Sequence, residues 1–395
     1  MLRFVNARVL RDGALENEDL WVDTRTGRVV DPMRRFYEAS SSRELEVETR
    51  VDCRGGIVAP GFIDAQFNGG FGIDFSSVEQ MRERENVRKC CRELVRTGVT
   101  AFCPTLISCK PHEYREILAN LDAFMNDPEE QNHGARIVGL HLEGPFFNRE
   151  KIGAHPLENI VSPKDSRGIE DTYQNELSHV KLVTLAPEQP GALDVIRELR
   201  KRGIVVSIGH SAATLDQADA GVGAGASMIT HMFNAMGAFH HRDPGIIGLL
   251  GRHQLHDRVS FGVICDGLHV NPASVAIAYQ SHPKGAVLVT DAMAGMGLPC
   301  GSHALGSQET LAGSVVSMEE CVQNFRIFTG CSIAEALEAA SVHPARVLEL
   351  PAGQGNLRFG SEADFVILHP ETLRVQATYR AGVCLYSYSG HASVS

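Results

Sequence analysis

The chain has 395 residues, 43% of them apolar and 22% charged, proportions that fit a globular protein and exclude a fibrous or largely disordered one. Its formal net charge of -11 argues against non-specific binding to nucleic acid. Ten cysteines without a CxxC pair, no apolar run of membrane-spanning length and no signal-peptide core at Met1-Leu-Arg-Phe predict a reduced, cytoplasmic protein without a membrane partner.

In chain order, residues 3–10, 20–22 and 44–51 read as short strands, separated by turn pairs such as Asp12-Gly13 and Thr26-Gly27. The far end resumes this character at 363–368, 374–379 and 383–386. One small β-sandwich domain, residues 1–59 and 353–395, is therefore expected from both termini. Between them, apolar runs start near Ile57, Val99, Ile137, Val180, Val205, Ala226, Phe261 and Ala286. Helical segments lie between several of these, clearest at 78–96, 114–125, 193–202 and 273–279, and Gly98 and Gly203 act as helix stops. Eight alternating units predict the α/β class, with a (β/α)8 TIM-like barrel over residues 60–352. A doubly wound sheet is the alternative, but no GxGxxG is present, and Gly221-Val-Gly223-Ala-Gly225-Ala226 fails at its last position.

Polar residues follow these runs: Asp64 and Gln66, Pro104 and Thr105, His141 and Glu143, Glu188, His210, His231, Asp266 and His269, then Asp291. In a parallel barrel these positions are the C-terminal strand ends, where such folds keep their chemistry. Glu143, His210 and His231 would bring one carboxylate and two imidazoles from three strand ends, leaving a position open for water. That is the pattern of a catalytic metal site, in which the ion brings the pKa of its water toward neutrality. Taken singly, each has a blander reading, as a core imidazole with one hydrogen bond or a carboxylate paired with an arginine. Asp291 precedes the small residues Ala292-Met-Ala-Gly295. It reads either as a base beside that water, later protonating a leaving amine, or as a turn cap.

Two stretches carry a family resemblance. Val58-Ala-Pro60-Gly61-Phe62-Ile63-Asp64 resembles the entry signature of the amidohydrolase superfamily, and Phe359-Gly360-Ser-Glu-Ala363-Asp364-Phe365-Val366 resembles its C-terminal β-domain signature. Within that superfamily, five more stretches are similar to the N-acetylglucosamine-6-phosphate deacetylase family of metazoan type. They are His141-Leu-Glu143-Gly-Pro145-Phe146, Gly209-His210-Ser211, Thr230-His231-Met-Phe-Asn234-Ala235-Met236, His240-His241-Arg242-Asp243-Pro244-Gly245 and Asp266-Gly267-Leu268-His269.

The resemblance implies hydrolysis of N-acetylglucosamine 6-phosphate to glucosamine 6-phosphate and acetate by a metal-bound hydroxide. Most amidohydrolases place His-x-His after the first strand to hold a second metal, whereas this chain reads Gln66-Phe67-Asn68. Neutral amides are poorer ligands than imidazole, so one divalent ion on Glu143, His210 and His231 is implied. Zinc is expected, and cobalt, nickel or iron(II) suits the same donors. Asp291 becomes the general base and then the general acid, and His155 polarises the acetyl carbonyl. Ala154, Asn234, Ala235, Asp266, His269 and the run Leu311-Ala312-Gly313 become substrate-binding positions. Arg242 matches an arginine that reaches the phosphate in the neighbouring subunit, which implies a homodimer.

Family members usually run a longer, hairpin-like stretch between their counterparts of Asp291 and Leu311. Here Leu305-Gly-Ser-Gln-Glu-Thr310 leads almost directly into Leu311. A related one-metal amidohydrolase acting on another N-acyl substrate remains open, as does an inactive amidohydrolase-like scaffold if the shortened segment is essential.

Overall fold

The computed structural model describes residues 1–33, 49–132, 134–164, 168–174, 177–299 and 313–388. Eight strands run in parallel round a barrel: β1 (Phe62–Phe67), β2 (Val99–Leu106), β3 (Leu140–Glu143), β4 (Val180–Leu185), β5 (Val205–Ile208), β6 (Met228–Ile229), β7 (Ser260–Val263) and β8 (Ala286–Leu288). Each pairs with the next, from Phe62 opposite Val99 through to Val263 opposite Leu288. Residues 99–106 are all buried, as expected of strands covered on both faces. The (β/α)8 barrel expected from the eight apolar runs is thus what forms.

No strand ladder joins β8 to β1 among the described residues. That joint is made just past the end of β8. Thr290 Oγ1 donates to Asp64 Oδ2 at 2.5 Å, Asp291 N to Gln66 O at 2.9 Å and Asn68 N to Ala292 O at 2.9 Å.

Three of the runs divide in ways that periodicity does not reveal. The run from Ile57 breaks at Gly61, and Ile57–Pro60 pairs with Phe365–Leu368 and with Arg8–Arg11 instead of entering the barrel. A Cβ on Gly61 would lie 2.1 Å from Thr100 Oγ1, so only glycine lets the chain cross there. The run near Ile137 gives Arg136–Ile137, paired with β2, before Gly139 at φ 148° redirects the chain into β3. The predicted strand 3–10 likewise splits at Asn6 (φ 53°) into Leu2–Val5 and Arg8–Arg11, which join different sheets.

Helices form where the apolar periodicity places them at Pro111–Met125, Ala192–Lys201 and Pro272–Ser281, whereas the expected segment 78–96 breaks at Arg82 and Glu83 into Val78–Met81 and Arg84–Leu94. Two caps bear on the site. After β5, the Thr214 hydroxyl accepts from Gln217 N at 3.3 Å and starts Leu215–Ala224. After β7, Asn271 Oδ1 accepts from Ala273 N at 2.9 Å. Each fixes where a rim loop must end.

Both termini build sheets outside the barrel. Leu2–Val5, Leu20–Asp23, Arg28–Val29 and Thr49–Asp52 form one, and six strands from Arg8–Arg11 to Val383–Ser387 form the other. Of the predicted strand 44–51, residues 44–48 lie outside the described residues. The two sheets share a core in which Phe4 meets Phe365 edge-on at 4.9 Å and Tyr379 at 5.0 Å. Burying each such ring contributes about 2 kcal/mol.

Candidate active site

The C-terminal mouth of the barrel holds a cavity of about 570 Å³, and Glu143, His210, His231 and Asp291 all line it. Glu143 is the last residue of β3, while His210, His231 and Asp291 stand just beyond β5, β6 and β8. The backbone takes sharp turns to present three of them: φ is +50° at His210, +23° at His231 and +47° at Asp291. Each such non-glycine conformation costs about 1 kcal/mol or more, and such residues gather at functional sites. Gly209 lets the turn fit, since a Cβ there would lie 2.7 Å from Thr230 Cβ. Glu188 braces the same loop, accepting from Ser211 Oγ at 2.6 Å and from Ala212 N at 2.8 Å.

Three donor atoms converge. Glu143 Oε1 lies 3.3 Å from His210 Nε2 and 3.2 Å from His231 Nε2, and the two imidazole nitrogens are 3.0 Å apart. Ligands of one tetrahedral ion, each about 2.1 Å from it, stand about 3.4 Å apart, so these edges fit a shared cation. The tautomer of His210 fits too. Its Nδ1 faces the Lys151 carbonyl at 2.9 Å, so Nδ1 carries the proton and Nε2 offers a lone pair. Burial opposes ionisation of Glu143, but hydrogen bonds and charge from His210 and His231 outweigh it and hold its pKa well below the usual carboxylate range.

His155 also comes within reach, its donor atom lying within 4.8 Å of those of Glu143 and His210. Its tautomer is the opposite one. The Ser108 backbone N–H donates to His155 Nδ1 at 3.1 Å, so the proton sits on Nε2, 4.0 Å from Glu143 Oε2. Burial, and then the neighbouring His210, depress its pKa to about 3, which keeps the ring neutral. A neutral ring with its N–H inside the cavity is a hydrogen-bond donor, not a metal ligand.

Asp291 is buried, and burial followed by the Glu143 charge pushes its pKa up to about 7. Two amides hold it: Asn68 Nδ2 donates to its Oδ1 at 2.6 Å and Gln66 Nε2 at 3.1 Å. Gln66 Nε2 also donates to Glu143 Oε1 at 2.8 Å, so one amide links two carboxylates that otherwise repel. Sequence reasoning placed Gln66 among the strand-end polar residues but gave it no role beyond a lost metal ligand, and it saw Asn68 only as a lost ligand. Gln66 near the end of β1 and Asn68 just past it alternate along the chain, which was the available signal for a shared inward face.

Of the remaining expected residues, Ala154, Asn234, Ala235, His269 and Gly313 line the cavity. Asp266 is not among its lining residues and instead holds His269, accepting from its Nδ1 at 2.6 Å and from its backbone N at 2.9 Å. Arg242 is exposed on the 239–243 loop and does not line the cavity of its own chain. Leu311 and Ala312 lie outside the described residues. Lys151, Glu150, Asp74 and Met293 also line the cavity, and no motif had pointed to them.

This fold and this site define a metal-dependent hydrolase of the barrel class, with a carboxylic acid beside the ligand set. The chain belongs to the amidohydrolase family, whose model matches residues 57–384, and within it to the N-acetylglucosamine-6-phosphate deacetylases. It is similar to the enzymes of that name from Mus musculus and Homo sapiens. Each is 47% identical over 97% of this chain and 95% of the relative. A mutant of N-acetyl-D-glucosamine-6-phosphate deacetylase from Mycobacterium smegmatis, solved in complex with N-acetyl-D-glucosamine-6-phosphate, is 29% identical. It has a TM-score of 0.81 and covers 98% of this chain and 99% of that one.

Proposed function

We infer that this chain hydrolyses the acetamide of N-acetylglucosamine 6-phosphate, giving acetate and glucosamine 6-phosphate. The observation that carries the reading is the juxtaposition, on one cavity floor, of three converging donors with a carboxyl group held beside them. The activity named for the most similar relatives supplies the substrate.

Glu143, His210 and His231 would hold one divalent ion, zinc on this donor set, with cobalt, nickel and iron(II) accepted by the same atoms. When bound, that ion supplies water that ionises near neutral pH. Asp291 takes the proton from the attacking water through Oδ2, the oxygen that neither Asn68 nor Gln66 holds. His155 donates its Nε2–H to the acetyl oxygen as negative charge builds there. As the carbon–nitrogen bond breaks, Asp291 returns the proton to the departing amine. A carboxyl pKa raised toward neutrality suits a group that must both take and give a proton.

Asn234, Ala235, Ala154 and Gly313 border the sugar, and His269, oriented by Asp266, faces the phosphate. Arg242 reaches the phosphate bound by a neighbouring copy, which makes the working unit a homodimer. The catalytic unit is the barrel, residues 60–352, carried by a β-sandwich of residues 1–59 and 353–395, and the cytoplasm is its compartment.

The test is acetate release from N-acetylglucosamine 6-phosphate, with non-phosphorylated N-acetylglucosamine and the Asp291→Asn variant alongside. Turnover of the phosphate ester alone, lost in the variant, supports the reading. Absence of turnover by folded, metal-loaded protein overturns it.

A further inference from the structure

Asn68 is 2% exposed and lines the cavity, and its two amide atoms are in unequal circumstances. Nδ2 is committed to Asp291 Oδ1 at 2.6 Å. Oδ1 is buried and has no hydrogen-bond partner among the described residues. A buried carbonyl oxygen left unpaired is costly, and native proteins rarely tolerate it without a reason. Among the described residues no group donates to it, and Asn68 borders the cavity, so the cavity's occupant is the donor to look to.

We propose that Asn68 contacts the substrate directly, its Oδ1 accepting a hydrogen bond from the N–H of the scissile acetamide while its Nδ2 holds Asp291. This rests on the deacetylase reading above. Asp291 must stand next to the amide nitrogen in order to protonate it. The Asn68 carboxamide, bonded to that same carboxyl group, is therefore within reach of the nitrogen's one hydrogen. An acceptor at that hydrogen turns the nitrogen lone pair toward Asp291. As the nitrogen loses conjugation and gains a proton, its N–H becomes a stronger donor. The bond therefore tightens toward the transition state and acts on kcat more than on KM.

The experiment compares two substrates, N-acetylglucosamine 6-phosphate and its oxygen ester, 2-O-acetyl-glucose 6-phosphate, on wild-type protein and Asn68→Ala. The ester has no N–H to offer. Loss of the grip on Asp291 affects both substrates, whereas loss of the Oδ1 contact affects only the amide. The expected result is that kcat/KM for the amide falls by about tenfold more than for the ester, mainly in kcat. Equal losses on the two substrates overturn the proposal and leave Asn68 acting through Asp291 alone. Asn68→Leu, which removes the acceptor while filling a similar volume, gives the same comparison if the alanine variant does not fold. Failure of the wild-type protein to cleave the amide while it cleaves the ester would instead overturn the deacetylase reading, and this inference with it.

Discussion

The Nε2 atoms of His210 and His231 stand 3.0 Å apart, and the Nδ1–H of His210 is committed to the Lys151 carbonyl. His210 therefore brings a lone pair to the contact, and His231 must bring a proton unless a cation lies between them. Burial opposes that proton, but the hydrogen bond and charge of Glu143 outweigh it and raise the His231 pKa.

Metal uptake is accordingly coupled to proton release. Titration calorimetry of the metal-free protein with zinc, near pH 6.5, in buffers of different protonation enthalpy is expected to show a proton expelled per ion. Affinity should weaken as the pH falls, and binding heats independent of buffer would contradict this. Saturating metal should also raise the melting temperature, since a ligand at about a thousandfold above its Kd adds about 4 kcal/mol.

Asp291→Asn keeps an acceptor for Asn68 and Gln66 but removes the group that moves the proton. A fall in kcat of about a thousandfold is expected, with the folded state intact or better at alkaline pH, where the variant no longer sets a charge beside Glu143. Rates measured together with thermal melts separate the two effects, and retention of a tenth or so of the wild-type kcat would remove Asp291 from the chemistry.

The barrel joint makes its own pH prediction. Burial pushes the Asp64 carboxyl from its usual 3.8 up to about 7, against the pull of Thr290 and the Gln66 backbone. Between those values the folded chain keeps a proton that the unfolded chain has already lost. The contribution of Asp64 to stability is thus fully present below pH 3.8 and declines as the pH rises through about 7, by at most about 4 kcal/mol. Denaturant melts of wild type and Asp64→Asn across this window should diverge progressively, the variant losing less stability. Parallel curves would show that Asp64 does not titrate there.

Arg242, exposed and away from its own cavity, is expected to act on the partner's site. Arg242→Ala should raise KM for the phosphorylated substrate by about tenfold or more with little change in kcat. Neither Arg242→Ala nor Asp291→Asn homodimers would be fully competent. Mixing the two under conditions that exchange subunits should restore a fraction of normal sites, which pair an intact Asp291 with an intact Arg242. Failure to complement would place Arg242 outside any shared site.

Much of this site was legible because a parallel barrel turns sequence order into spatial order. Any polar residue just past an apolar run must reach the same rim, which is how Glu143, His210, His231 and Asp291 could be grouped across 149 residues of chain. What periodicity could not register was backbone direction within a continuous apolar stretch. Residues 57–67 are almost uniformly apolar, yet Gly61 hands the chain from one sheet to another. Nor did residue type reveal how Asp266 acts, because whether a carboxylate meets a ligand or steadies the histidine beside it depends on rotamers. The opposite tautomers of His155 and His210 depend on which backbone group happens to face each ring, and the sequence carries no mark of that.

The joint between β8 and β1 holds together through side chains and loop amides instead of a run of paired strands, and Asp291 is mounted on it. Local opening of a fold begins where the fewest backbone bonds must break at once. Amide protons of residues 290–292 should therefore exchange sooner than those of β4 or β5, and on warming the catalytic carboxyl would lose its place before the barrel unfolds. Inactivation by heat would then begin as a reversible event confined to one stave of the barrel.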